Sequence, residues 1–254
     1  MHQPTLRVLQ ILELIASDSG GRRLADLSRD LQIAKSTLVP ILQTLCQQHY
    51  LSQNEAGQYQ AGTALFRMGA AFAGKFPVLE YVHSQLETLV AQLGETCYFG
   101  VLDDGHVLYL EKADSPQPLR MLTAVGRRLP AYATGIGKAL LSDLPEETVR
   151  RLYANGLEPL TEHTVTDMAA LIAQLAQTRQ NGYAWEVEES TPHVRCFAVP
   201  VRKFGTIVAA VSISIPLFRY EEGQRAQIIS QLQAAAAQMQ KTFEQTDAHF
   251  TDIF

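Results

Sequence analysis

The sequence is most informative first in what it lacks. It has no surplus of basic residues: 21 Lys and Arg stand against 26 Asp and Glu over 254 residues, a formal charge of −5. Duplex DNA repels an acidic surface, so the whole-chain balance argues against a nucleic-acid binder. Cysteine is scarce. Cys46, Cys97 and Cys196 are odd in number and form no C-x-x-C, which excludes a secreted disulfide framework and fits a reducing compartment. Long apolar runs are missing too. The uncharged stretch 204–218 is too short for a spanning helix, and 36–54 is rich in Gln, Ser and Thr. The apolar N-terminus is broken by Arg7, Gln10 and Glu13, unlike the core of an export signal. The expected setting is the cytoplasm, away from any membrane.

Catalytic signatures are equally absent. There is no G-x-S-x-G, no P-loop and no H-E-x-x-H. Gly135-Ile136-Gly137-Lys138 lacks the rest of a nucleotide fingerprint. His193-x-x-Cys196 offers two metal ligands with no third or fourth at a telling spacing, so neither metal nor cofactor is expected. The enzymatic reading that remains makes Cys196 a thiol nucleophile or redox centre beside His193, in a redox or hydrolytic enzyme. That role requires a depressed thiol pKa.

What is present divides unevenly. Residues 1–62 hold five basic and five acidic side chains, whereas 63–254 hold sixteen and twenty-one. The acidity belongs to the larger part, and a boundary near residue 62 follows. In the first part Leu6, Leu9, Ile11, Leu12 and Ile15 recur at helical spacing. Leu24, Leu27 and Leu31 mark a second helix, and Leu38, Ile41, Leu42 and Leu45 a third. Strand-like Tyr50, Leu51 and Tyr59 flank a polar Gln53–Gly57 tip, a hairpin signal. Three helices and a hairpin in this span predict a winged helix-turn-helix. Lys35, Ser36 and Thr37 open the third helix with an amine and two hydroxyls, where phosphates and base edges are read. Pro40 opposes a regular helix there, because it removes a donor and clashes with the Ser36 carbonyl. The helix is expected to start late or to kink.

The larger part predicts an α+β unit, an antiparallel sheet with packed helices. Helices are expected over 64–76, 79–93, 134–141, 145–153 and 167–180, the last capped by Thr166, and from Glu221 to about Thr246. Strands are expected at 96–102, 107–110, 121–125, 183–188, 196–201 and 207–215, with Asp103-Asp104-Gly105-His106 as a hairpin turn.

Three segments at consistent spacing resemble the IclR family of bacterial transcriptional regulators. They are Gly126-Arg127-Arg128-Leu129-Pro130 with 133–141; Gly182-Tyr183-Ala184, Glu188-Glu189 and 194–200; and 209–214. Segments 7–12 and 34–37 resemble the family's first and recognition helices. The resemblance implies a winged-helix domain (1–62), a linker helix (63–77) and a GAF-like effector domain (78–254) in a homodimer or tetramer. It implies operator DNA and a small carboxylate effector as partners, and a regulator, more often a repressor, rather than an enzyme. DNA contacts would come from Lys35, Ser36, Thr37, Val39, Thr44 and Tyr59. The effector pocket would be formed by Met121, Gly135, Ile136, Glu186, Cys196, Ser212 and Ser214. Two of these features also have an independent reading. The N–H groups of Gly135 and Ile136 open a helix, where an anion is favoured. Ser212 and Ser214 lie two apart on a strand, so their hydroxyls share a face.

The chain departs from the family pattern in four places. Glu186 stands where Asp is usual, and Tyr132 replaces a frequent His. Val39-Pro40 stands where an aromatic or His followed by Arg is common, and Gln60 replaces a frequent Arg. The last two remove expected DNA contacts, which leaves open a ligand sensor with weakened DNA binding.

Overall fold

The computed structural model describes residues 2–18, 20–118 and 124–246. The chain forms two compact units, Met1–Phe76 and Pro77–Phe254.

The first unit contains α1 (Gln3–Ala16), α2 (Leu24–Asp30) and α3 (Lys35–Gln47), a hairpin of β1 (Leu51–Gln53) and β2 (Tyr59–Ala61), and α4 (Thr63–Ala73). Ile11 and Ile15 of α1, one turn apart, meet Leu27, Leu38, Leu42, Leu45 and Leu51 in a single core. Each such side chain contributes about 1.5–3 kcal/mol on burial. The hairpin pairs Leu51 with Ala61 and Gln53 with Tyr59. Tyr59 also exchanges both backbone hydrogen bonds with Arg22, at 2.9 and 2.8 Å, which ties the wing to the segment before α2. The helix containing Pro40 begins at Lys35, so the late start expected from sequence does not occur. Pro40 is exposed, and its missing N–H leaves the Ser36 carbonyl, in the first turn of α3, without its helical donor.

In the second unit, α5 (Val78–Leu93) leads into a six-stranded antiparallel sheet of order β5-β4-β3-β8-β7-β6. The strands are β3 (Thr96–Asp103), β4 (His106–Ala113), β5 (Arg128–Pro130), β6 (Ala184–Val187), β7 (Val194–Lys203) and β8 (Thr206–Pro216). Helices α6 (Gly135–Leu141), α7 (Glu146–Leu152) and α8 (Met168–Asn181) lie between β5 and β6, and α9 (Arg225–Gln245) ends the unit. Alternation along the strands gives the sheet two faces. Phe99, Phe197, Val199, Val211 and Ile213 pack with Leu86 and Leu89 of α5 and Leu232, Met239 and Phe243 of α9. On the opposite face Ala184, Ala198 and Ala210 are small enough to let α6 sit close, and all seven α6 residues are buried.

Three local expectations are corrected. The cap of α8 is Asp167, whose side chain accepts from the Ala170 N–H at 2.8 Å, and not Thr166. The strand expected at 121–125 is not supported where it can be followed: 121–123 lie outside the described residues, and Ala124 and Val125 lead into a turn. The edge strand is instead β5, which pairs with β4 through Val107 and Leu129. The final helix starts at Arg225, after two 3-10 turns at Leu217–Arg219 and Glu222–Gln224.

Candidate functional site

Strand register assembles the site. Glu186 pairs with Cys196, Cys196 with Ser214, and Ser214 with Thr96, so four side chains from β6, β7, β8 and β3 form one row. The neighbouring row runs Ala184, Ala198, Ser212 and Tyr98. Both rows face α6. Thr134 caps that helix, its hydroxyl accepting from the Gly137 N–H at 3.0 Å. Gly137 is required for close approach, because a Cβ there would lie 2.1 Å from the Ala131 carbonyl oxygen. A Cβ on Gly135 would come within 3.1 Å of the Cys196 Cβ, so the start of α6 rests against the middle of the polar row.

Between them lies a cavity of about 20 Å³, room for about one water. Of the residues that the resemblance assigns to a pocket, Gly135, Ile136, Cys196, Ser212 and Ser214 line it together. Cys196 Sγ and Ser214 Oγ are 3.2 Å apart. Glu186 does not line the cavity. It stands one strand beyond Cys196, fully buried, accepting from the Glu189 N–H at 2.8 Å and from the Ser190 hydroxyl at 3.3 Å. Met121 lies outside the described residues.

The rest of the wall includes Tyr98, Tyr109, Leu129, Thr134, Ser190 and Thr191, none of them predicted. Tyr98 reaches the site because its strand pairs with Ser212, a register that spacing within one strand does not reveal. Sequence reasoning also missed Lys138. It is buried on α6, and its ammonium pairs with the Glu189 carboxylate, itself buried. A Lys within the apolar run of α6 was the available signal, because a buried ammonium demands a partner.

Desolvation dominates the electrostatics. Burial pushes the Glu186 carboxyl up to about 7, against the hydrogen bonds that favour its charged form. Burial likewise lowers the Lys138 ammonium, although the Glu189 charge opposes this. The Cys196 thiol is raised well above its ordinary value, by burial first and by the neighbouring Glu186 second. A thiol so held is protonated at neutral pH, the reverse of what a nucleophile needs. The cavity can accept and donate neutral hydrogen bonds through its hydroxyls; it is not equipped for thiolate chemistry.

On α3, Lys35, Ser36 and Thr44 are exposed, and Thr37 and Val39 are half-buried. The Thr44 hydroxyl donates to the Pro40 carbonyl at 2.9 Å. Tyr59 packs partly against the core of its unit. Arg22 is held by Asp18 and Asp30, and Arg29 by Asp26 and Asp30. Lys35 has no ion-pair partner among the described residues, so it keeps its charge available at the start of α3.

Residues 5–55 match the family model of the IclR helix-turn-helix domain, and 70–241 that of the bacterial transcriptional regulator IclR C-terminal domain. The transcriptional regulator XynR of Escherichia coli is 34% identical over 236 residues, 92% of this chain and 94% of that protein. The chain belongs to the IclR family. The transcriptional repressor IclR of E. coli is likewise 34% identical, over 85% of this chain and 81% of its own length. An IclR regulator from Alicyclobacillus acidocaldarius has the same fold, with a TM-score of 0.81 at 23% identity over 95% and 98% of the two chains. This IclR-family protein is therefore a DNA-binding transcriptional regulator and not an enzyme, in keeping with the chemistry of Cys196. No helix among the described residues is long and apolar enough to cross a membrane.

Proposed function

We propose that this IclR-family protein is a repressor, acting on DNA in the cytoplasm and controlled by a small organic-acid or sugar-acid effector. The observation that carries the effector reading is the cavity. Gly135 and Ile136 present helix-opening N–H groups, and Ser212, Ser214, Ser190 and Thr191 surround them with hydroxyls. A carboxylate with hydroxyl or keto groups suits such a lining. Glu186 supports the wall from behind, and Met121 completes the proposed site. The E. coli repressor named above supports repression over activation.

Lys35, Ser36, Thr37, Val39, Thr44 and Tyr59 are the proposed DNA contacts, within a winged-helix domain of residues 1–62. A linker at 63–77 and an effector domain at 78–254 complete the proposed organisation. A homodimer or higher oligomer of it would present paired helices to two half-sites. On α4, Phe66, Met68 and Phe72 are exposed, which suits association between copies.

The cavity is too small for an organic acid as it stands, since ligand sites usually span about 300–1,000 Å³. Effector binding therefore requires the site to widen, and a ligand that favours the wider arrangement shifts the equilibrium between DNA-binding states. The test has two arms. Footprinting should protect a palindromic site near the protein's own promoter. A thermal-shift screen of organic and sugar acids should find one that raises Tm and releases the DNA. Absence of sequence-specific protection at about 50 mM salt, where phosphate contacts are strong, would refute the regulator's proposed mode of action. Stabilisation without DNA release would refute its control by that effector.

A further inference from the structure

An acid in this cavity meets a charge problem. Among the described residues, none of the wall side chains is a cation. The ammonium of Lys138 is taken by Glu189, and the carboxyl of Glu186 lies just behind Cys196. Hydrogen bonds alone orient a carboxylate, but they do not separate it from a neutral amide of the same shape.

The register of β4 and β5 brings one cation to this face. Val107 is opposite Leu129, and continuing that pairing sets Tyr109 opposite Arg127, whose carbonyl accepts from the Tyr109 N–H at 3.1 Å. The Gly126 N–H donates to the same tyrosine's carbonyl at 2.8 Å. Gly126 has φ +83°, and the Arg127 N–H closes a turn onto the Ala124 carbonyl at 3.2 Å. This is a turn followed by a one-residue bulge, with glycine at the left-handed position. The bulge leaves Arg127 in step with Leu129 two residues on, so both side chains project from the face that carries Tyr109. Leu129 and Tyr109 line the cavity. Arg127 is exposed and has no ion-pair partner among the described residues, whereas its neighbour Arg128 is paired with Asp103 at 2.7 Å.

We propose that Arg127 is the specificity-determining cation of the effector site, pairing with the carboxylate of an incoming acid and selecting acids over neutral compounds of similar shape. The inference rests on the effector reading above. A charge-assisted, bidentate guanidinium–carboxylate contact suits the task, because it recognises both charge and the planar carboxylate.

Calorimetric titration of the full chain with lactate, pyruvate and gluconate, each beside its amide, tests it. Arg127→Gln is expected to weaken the binding acid roughly tenfold and leave its amide unchanged, so that the preference for the acid collapses. Arg127→Lys should retain most of that preference. The proposal is overturned if Arg127→Gln leaves the acid's affinity intact, or weakens acid and amide alike. If none of the three acids binds the unaltered protein, the effector class itself is wrong and the role of Arg127 goes with it. Binding of an acid with no effect of Arg127→Gln refutes only the role of Arg127.

Discussion

On one side of the six-stranded sheet, Phe99, Phe197, Val211 and Ile213 lock against α5 and α9. On the other side, the same strands set Glu186, Cys196, Ser214 and Thr96 in a row facing α6. The first face gains from burial and makes no electrostatic demands. The second buries two carboxyls, an ammonium and a thiol, and each desolvated charge must be offset by a partner. The difference shows where the fold derives stability and where it accepts a cost in exchange for a site.

The apolar face should give the largest effect. Phe197, on β7, is buried in the core with α5 and α9 and packs against Tyr220, with ring centroids 5.8 Å apart. Phe197→Ala should cost about 3–5 kcal/mol through lost transfer energy and an unfilled cavity. Chemical denaturation reads this, and a loss below about 1 kcal/mol would show that the face is not tightly packed. The polar face should respond in kind when a single partner is removed. Lys138→Met strands the Glu189 carboxylate and should cost roughly 3–5 kcal/mol. Here, however, the double variant Lys138→Met/Glu189→Gln should recover most of the loss, because no unpaired charge remains. Failure of the second substitution to rescue would mean that Lys138 matters through its packing, as Phe197 does.

The two faces also differed in how far they could be read beforehand. Amphipathic periodicity exposed the helices of the small unit, and Asp103–His106 announced the β3–β4 hairpin. The apolar face follows from alternation within β3, β7 and β8. The polar face does not, because its chemistry depends on which strands are neighbours. Glu186 could be placed near Cys196 only by resemblance, and its position outside the cavity wall required the register. Lys138 finds its partner 51 residues away, and α6 is buried on every side, so no helical period marks it. The strand β5 has three residues, too few for any alternation to show. Thr166 and Asp167 are both competent caps, and one-residue choices of that kind are settled by backbone geometry. Pro40 does not delay the start of α3, because the turn before it forms without its N–H and Leu38, Leu42 and Leu45 are buried in the core of that unit.

A further contrast between the faces is their response to pH. Burial raises Glu186 from 4.5 to about 7 in the folded chain, so the folded state holds its proton over a range where the unfolded state has lost it. Stability from this group therefore falls as pH rises through that window, by about 3 kcal/mol in all. Glu186→Gln should remove the slope. Denaturation midpoints measured from pH 4.5 to 8 should diverge, the variant holding steady where the parent declines. Parallel curves would mean that the carboxylate is better solvated or better paired than its burial implies. Phe197→Ala, by comparison, should displace the parent's curve without changing its shape.

The smallest expected effect carries the comparison to the DNA-binding unit, where paired and available charges again behave differently. Arg29 is engaged by Asp26 and Asp30, whereas Lys35 is exposed at the start of α3 with no ion-pair partner among the described residues. A lysine that neutralises one phosphate releases condensed counterions, and its loss lowers the salt slope of binding by about one for each chain bound. Lys35→Ala should therefore weaken binding evenly across operator sequences and flatten the dependence of log K on log salt by that amount. Arg29→Ala should leave the slope unchanged, since its guanidinium is already neutralised within the fold. Equal slopes for Lys35→Ala and the parent would move the phosphate contact off the start of α3. Equal loss in both variants would mean that Arg29 exchanges its intramolecular carboxylates for phosphate when DNA binds.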